Sequence, residues 1–207
     1  MRKPGARGCY AGYAGRPNEH FLSIDLLNQF LERLSPLGQK LGPIMFQFEY
    51  LNRQKMPSKA AFLERFGDFV DRAPTGFEYA IETRNPNYLS PEFFGFLRAR
   101  KIGFVYIEGY YMPPIREVFE RHHPATADSC VIRLHGGDRL EIEEETGEAW
   151  DRILAPKPEG IGAAARIVAG NTRRGIKTFL NVNNHFEGSA PLTIERFLEA
   201  LRAVDTT

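Results

Sequence analysis

Five short apolar segments along the chain each end in polar residues. They are Ile44–Phe48, Tyr79–Arg84, Phe104–Glu108, Val131–His135 and Phe179–Asn184. Stretches with apolar residues at helical spacing separate most of them. This alternation is typical of a parallel sheet wound with helices, in which chemistry lies at the carboxyl ends of the strands.

Serine residues mark the starts of the predicted helices. Ser23 (or Asp25), Ser58 and Ser90 each precede an apolar stripe at helical spacing, as N-caps do. Further helices are predicted near residues 159–174 and 192–204. Residues 136–158 contain no clear element, and a loop of that length is more often functional than idle. Residues 1–20 are rich in glycine and tyrosine and are predicted to be a loop.

Three pairs of polar residues lie two positions apart near the ends of the predicted strands. The pairs are Glu82 with Arg84, Arg133 with His135, and Asn181 with Asn183. Side chains alternate across a strand, so the members of each pair share one face. Gln47 and Glu108 end their strands in the same way. In a closed barrel that face lines the lumen, so the predicted site holds two arginines, a histidine, two carboxylates and several amides.

Each of these residues also has a structural interpretation that the sequence leaves open. Glu82 and Arg84 could form an ion pair, because a buried charge needs a partner. Arg133 either binds a carboxylate or phosphate of a substrate or neutralises a nearby glutamate. His135 is either a general base or a hydrogen-bonded structural residue, and its place beside Arg133 favours the first. For Asn184, capping of backbone groups is favoured over substrate binding.

Composition excludes several classes of protein. The 207 residues are 43% hydrophobic, which allows a sizeable core, and the net charge of +1 argues against a generic nucleic-acid binder. No apolar run approaches the roughly 20 residues of a membrane helix, and no hydrophobic segment follows the basic N-terminus as in a secretory signal. Cys9 and Cys130 match no metal or redox spacing. A cytoplasmic, reducing location is expected.

The chain also lacks the common cofactor motifs. It contains no Gly-x-Gly-x-x-Gly, no phosphate-binding P-loop and no Gly-x-Ser-x-Gly, so dinucleotide, nucleoside-triphosphate and serine-hydrolase functions are disfavoured. It contains no His-x-His or His-Glu-x-x-His spacing either. A metal site assembled from separate strands leaves no such local signature, so the cofactor stays unknown.

Six segments of the chain resemble the YecE-like family, also called domain of unknown function seventy-two. They are Leu41–Gln47, Ala80–Pro86, Thr126–Asp128, Arg133–Gly136, Trp150–Lys157 and Val182–Pro191. The resemblance implies a TIM-type β/α barrel with a polar cluster at its carboxyl face, and it implies no established activity. Carried over by motif, the positions of interest are Gln47, Glu82, Arg84, Arg133, His135, Asn183 and Asn184. The alternation of the strand ends leads to the same residues.

The number of strands departs from the family pattern. A full barrel has eight strands and about 250 residues, whereas five strands are evident here and the family's opening strands have no counterpart. We therefore expect a single domain over residues 1–207 that is an incomplete barrel, truncated at its N-terminus by about three β/α units. Two open sheet edges would favour self-association.

The leading functional hypothesis is a barrel enzyme that acts on a small polar or anionic substrate by general acid–base chemistry. His135 or Glu82 would move the proton, and Arg84 and Arg133 would hold negative charge. A second hypothesis is a glycoside-type hydrolase with Glu82 and Glu108 as paired carboxylates. A third is binding of nucleic acid or a sugar phosphate at the barrel mouth, and a fourth is a non-catalytic fragment. Whether the protein is an enzyme at all stays open at this point.

Overall fold

The fold is a parallel sheet of five strands in the order β1-β2-β3-β4-β5. The computed structural model describes residue 18 and residues 20–136, 139–147 and 149–205. The strands are β1 (Ile44–Gln47), β2 (Tyr79–Glu82), β3 (Gly103–Gly109), β4 (Ser129–Gly136) and β5 (Lys177–Val182). All five predicted strands are confirmed. The predicted loop over residues 1–20 falls almost wholly outside the described residues.

Seven α-helices accompany the sheet in the described part of the chain. They are α1 (Ile24–Leu34), α2 (Lys59–Val70), α3 (Pro91–Ala99), α4 (Ile115–His122), α5 (Arg139–Thr146), α6 (Pro158–Arg173) and α7 (Ala190–Asp205). Short 3₁₀ helices cover Ser35–Lys40 and Pro86–Tyr88. None of the helices in the described ranges is long and apolar enough to cross a membrane.

The predicted serine caps are confirmed. The hydroxyl of Ser23 accepts a hydrogen bond from the backbone of the third residue after it, and Ser58 and Ser90 do the same. Each bond satisfies one of the orphan N–H groups at a helix start. One expectation is wrong: residues 136–158 contain α5, which the apolar pattern did not reveal. Its acidic sequence has little apolar periodicity, although glutamate is a good helix former.

The two faces of the sheet have different environments. One face packs against the helices in the main core, where Phe46, Ile81, Tyr106, Ile132 and Leu180 lie. The opposite face carries a smaller apolar cluster near the start of the strands. Its residues are Met45, Ala80, Val105, Ile107, Val131 and Phe179, with Met112 beside them. We call this second face the concave face.

Two contacts show that the sheet is strongly curved. Arg133 on β4 reaches Gln47 on β1, although these strands would lie about 14 Å apart in a flat sheet. At the other end, a Cβ on Gly42 would lie 3.3 Å from the ring of Phe179 on β5. The fold is therefore α/β and consistent with part of a TIM-type barrel. In the described chain, β1 and β5 each pair with one neighbour and form the two edges.

Candidate functional site

Polar side chains gather on the concave face where the strands end. Gln47 pairs with Glu82 in the register of β1 and β2. Arg133 pairs with Asn181 in the register of β4 and β5. Because side chains alternate along a strand, Arg84 and His135, two positions after Glu82 and Arg133, lie on the same face. Five of these side chains form what we call the concave cluster: Gln47, Glu82, Arg84, Arg133 and His135.

Glu82 is the anchor of the concave cluster. Its side chain is 0% exposed, whereas those of Arg84 and Arg133 are 25% and 20% exposed. Arg133 Nη1 donates hydrogen bonds to Glu82 Oε2 and, at 3.4 Å, to Gln47 Oε1. Arg84 Nε donates to Glu82 Oε1 at 3.4 Å. A buried carboxylate needs such partners, and here it holds two guanidinium groups in place at the edge of solvent.

His135 is buried without a hydrogen bond. The residue is 8% exposed, and neither ring nitrogen has a partner in the described chain. Burial lowers the pKa of His135 to about 4, and the nearby charges of Arg133, Arg84 and His185 contribute to the shift. The imidazole is therefore neutral at pH 7. An unpaired buried polar group costs about 1–3 kcal/mol, so His135 has bonding capacity that a ligand can use.

Tyr110 covers the cluster from the loop after β3. The guanidinium carbon of Arg84 lies 4.1 Å from the centre of the Tyr110 ring, and that ring lies 4.7 Å from the ring of His135. Tyr110 and Tyr111 have left-handed backbone angles, with φ of 52° and 60°. Such strain persists where the surroundings impose it, often at binding sites. From its position just after a strand, the sequence left open whether Tyr110 walls a pocket or covers the barrel rim, and in the structure its ring contacts Arg84 and His135.

An open cavity of about 310 Å³ lies beside the cluster, between the ends of β4 and β5 and the start of α7. Its lining includes four of the predicted substrate-binding residues together with the predicted base. These residues are Arg133, His135, Asn181, Asn183 and Asn184. The structure thus brings together the polar ends of β4 and β5, as the strand-end pattern predicts, and adds Ala190 at the start of α7.

The two consecutive asparagines also hold the local backbone. Asn183 Oδ1 accepts a hydrogen bond from the backbone N–H of His185 at 3.0 Å. Asn184 Oδ1 accepts one from the backbone N–H of Ala190 at 2.8 Å, so its predicted capping role is confirmed. Each amide oxygen is therefore occupied within the protein, whereas neither NH₂ group is hydrogen-bonded in the described chain, and both residues line the cavity.

The structure does not bring Glu108 to the concave cluster. Glu108 pairs with Leu134, whereas its neighbour Ile107 pairs with Arg133, so Glu108 lies on the opposite face of the sheet. Its Oε2 accepts a hydrogen bond from the backbone N–H of Ile115 at 2.9 Å. Burial raises the pKa of the Glu108 carboxyl. The expected pairing of Glu82 and Glu108 as two facing carboxylates is therefore not formed.

His185 joins the site from the loop after β5, and in the sequence it stands out only as part of the segment Val182–Pro191. Its Nδ1 lies 2.5 Å from Asn183 Oδ1, and its Nε2 lies 3.1 Å from Glu143 Oε1 on α5. The ring of Trp150 stands 5.0 Å away, edge to face. His185 therefore connects the helix that the pattern missed to the rim of the cavity.

A second buried glutamate lies nearby in a separate network. Glu187 is 0% exposed. Its Oε1 accepts a hydrogen bond from the backbone N–H of Lys157 at 2.5 Å, and its Oε2 accepts one from the hydroxyl of Thr193 at 2.9 Å. Arg196 Nε lies 3.3 Å from the same oxygen. We call these four residues the Glu187 network, which ties the start of α6 to α7.

The described residues contain no group of three or more histidine, cysteine, aspartate or glutamate side chains that could hold a metal ion. Residues 15–207 match the family described as "Protein of unknown function DUF72". The chain belongs to the DUF72 family. The resemblance seen in the six motifs is thereby confirmed, because the YecE-like family and DUF72 are the same. No curated protein matches the chain.

Solved structures of other DUF72 family proteins share the fold. A protein from Thermotoga maritima MSB8 is 20% identical with a TM-score of 0.58, and the match covers 86% of this chain and 65% of that one. Two structures of a protein from Enterococcus faecalis V583 are 16% identical, with TM-scores of 0.59 and 0.57. Those matches cover 95% and 97% of this chain and 70% and 73% of theirs. The chain thus spans 65% of the Thermotoga protein's length.

In this DUF72 chain, the charges within the concave cluster are unequal. Two guanidinium groups, on Arg84 and Arg133, face one carboxylate, on Glu82. The neutral His135 adds no charge. One positive charge is therefore left over in a partly buried site, where electrostatic attraction is stronger than in water. Such an arrangement favours an anionic ligand.

Proposed function

We propose that the concave cluster binds a small anionic ligand and that His135 transfers a proton to or from it. One observation carries the proposal. His135 is buried with both ring nitrogens unpaired in the described chain, beside two arginines that share one glutamate. The position at the carboxyl ends of parallel strands supports it, since enzymes with β/α barrels place their chemistry there.

The two arginines are ready to bind before any ligand arrives. Glu82 holds both guanidinium groups through its two oxygens, and the Tyr110 ring lies against Arg84. A ligand that meets groups already in position loses less of its binding energy to ordering them. Arginine suits carboxylates and phosphates because its planar fork donates two parallel hydrogen bonds.

Ligand binding and proton transfer are coupled through His135. In the free protein its pKa is lowered to about 4, with burial as the main cause and the arginine charges next. An anion bound by Arg84 and Arg133 would offset their charge and raise the pKa of His135 toward neutrality. A proton-transfer group works best when its pKa lies near the working pH. The anion would therefore activate the histidine that acts on it.

The test is a titration of the full chain with anions, in which ¹H–¹³C NMR spectra record the histidine signals. Phosphate, sulfate, malonate and citrate are the probes, at pH 7 and constant ionic strength, and His135→Gln assigns the signal. We expect the His135 signal to move and saturate with at least one anion, and its pKa to rise. Arg133→Met should abolish the shift, whereas Arg166→Met, which removes an exposed arginine of α6, should leave it unchanged.

Two results would overturn the proposal. One is a folded protein whose His135 signal responds to none of the four anions. The other is an equal response in the Arg133→Met and Arg166→Met variants. Because Arg133→Met leaves Glu82 with a single partner and could unfold the chain, Arg84→Met serves as a second variant. Arg133 still neutralises Glu82 in that variant, and a weaker anion response is again expected.

A further inference from the structure

The cavity between β4, β5 and α7 has hydrogen-bond donors without partners. The amide oxygens of Asn183 and Asn184 accept backbone N–H groups. A backbone N–H can only donate, so it must face the amide oxygen, and the NH₂ group must be the end left over. Neither NH₂ group is bonded within the described chain, and Asn181 makes no hydrogen bond there with its side chain. All three asparagines line the cavity, and none of their NH₂ groups has a hydrogen-bond partner in the described chain.

An independent observation also indicates a ligand at the same cavity. His135 lines it, is only 8% exposed, and has both ring nitrogens unpaired in the described chain. Arg133 adds a guanidinium group to the lining. No aspartate or glutamate is among the described residues that line the cavity. A ligand rich in acceptors and with negative charge would satisfy these groups.

The start of α7 adds a positive potential. The helix has 16 residues and no acidic residue in its first turn, and its first residue, Ala190, lines the cavity. The N-terminus of a helix carries about half a positive charge, which favours anions. The buried carboxylate of Glu187, bonded to Thr193 in the first turn, offsets part of this charge. This contribution supports the site that His135 and the asparagines form and does not define a site by itself.

The donors reach the cavity from three elements, which bears on the shape of the anion. Arg133 and His135 come from β4, Asn181 comes from β5, and Asn183 and Asn184 lie in the loop to α7. A carboxylate presents two oxygens in one plane. A phosphate presents three terminal oxygens in a tetrahedral arrangement, and it can accept bonds from several sides at once. The cavity of about 310 Å³ also leaves room beyond a phosphate group.

We infer that this cavity holds the phosphate group of a small phosphate ester, bound by the three asparagine NH₂ groups and Arg133, with His135 beside it. The inference rests on the proposed function and narrows its ligand class from small anions to phosphate esters.

The experiment uses inorganic phosphate as the probe, with malonate and acetate as carboxylate comparisons. The side-chain NH₂ signals of the asparagines and the histidine signals are followed in one titration of the full chain. We expect phosphate to move the signals of Asn181, Asn183 and Asn184 together with that of His135. Its dissociation constant should be lower than that of acetate by about tenfold or more.

Two substitutions test the assignment of the donors. Asn184→Asp keeps the oxygen that accepts the Ala190 N–H and replaces the NH₂ donor with a negative oxygen. Asn181→Asp makes the same change at a side chain without a hydrogen bond in the described chain, so folding is spared. Each should weaken phosphate binding by about tenfold or more. Asn28→Asp adds the same charge on an exposed position of α1 and should have no effect.

The outcomes separate this inference from the proposed function. If malonate or citrate moves the His135 signal and phosphate does not, the phosphate assignment fails and the anion proposal stands. If no anion moves it, both fail. If phosphate binds equally well to wild type, Asn184→Asp and Asn181→Asp, the asparagines are not its ligands and the assignment is overturned.

Discussion

Glu82 and Glu187 are both fully buried, yet they belong to regions with opposite character. The partners of Glu187 are a backbone N–H, a hydroxyl and one guanidinium group, all from the segments that it joins. Glu82 instead holds two arginines that remain partly exposed at a cavity. Beside it, His135 has no hydrogen-bond partner in the described chain.

The difference lies in where the partners of the two carboxylates face. In the Glu187 network the carboxylate oxygens accept a backbone N–H and a hydroxyl, and Arg196 Nε lies 3.3 Å away without a hydrogen bond in the described chain. Partners that join neighbouring segments in this way are typical of a structural connection. In the concave cluster a buried carboxylate positions donors that face outward. The first region is expected to determine stability, and the second to determine binding. The following predictions test that division.

The largest effect on stability is expected for Glu187→Ala. It leaves the Lys157 N–H and the Thr193 hydroxyl buried without an acceptor, and we expect the free energy of unfolding to fall by about 3 kcal/mol. Denaturant unfolding measures this change. Glu195→Ala, at an exposed position of α7, should change the value by about 0.5 kcal/mol at most. A loss for Glu187→Ala no larger than that of the control would contradict a structural role.

A smaller loss of about 1–2 kcal/mol is expected for Glu82→Gln, since Arg84 and Arg133 are partly exposed and water can solvate them. Phosphate should bind this variant more tightly, because the loss of a carboxylate that competes for the guanidinium groups outweighs the looser positioning of the two arginines. Denaturant unfolding and a phosphate titration check both parts. The comparison would be reversed if Glu82→Gln destabilised the protein more than Glu187→Ala does.

The unpaired His135 makes stability depend on pH. Its pKa is 6.5 in the unfolded chain and is lowered to about 4 in the folded protein. Above pH 6.5 the His135 side chain is neutral in both the folded and the unfolded state. Between these values the unfolded state binds a proton that the folded state does not, so stability falls as the pH falls through this window. Unfolding curves from pH 7 to pH 4 should show this dependence of stability on pH, and His135→Gln should reduce it.

The smallest effect is expected for Glu108→Gln. The amide oxygen still accepts the Ile115 N–H, and the change lies on the face opposite to the concave cluster. We expect the phosphate response of His135 to be unchanged and the free energy of unfolding to change by about 1 kcal/mol or less. If the His135 signal of a folded Glu108→Gln protein no longer responded to phosphate, Glu108 would have to contribute to the site.

Much of the fold was predictable because its signals are local. A serine cap depends on a bond to a residue three positions away, so Ser23, Ser58 and Ser90 marked three helix starts correctly. Alternation along a strand likewise placed Arg133 and His135 on one face. Apolar spacing does not predict the helix α5, because its acidic segment has almost no apolar periodicity.

The amino-acid sequence by itself determined the five strands, their polar ends and the family. Tertiary structure alone decided which polar ends meet. The register sets Arg133 beside Ile107 and turns Glu108 to the helical face, and the curvature of the sheet lets Arg133 reach Glu82 two strands away. Register and curvature result from packing helices against the whole sheet, so neither is visible in the alternation of any one strand.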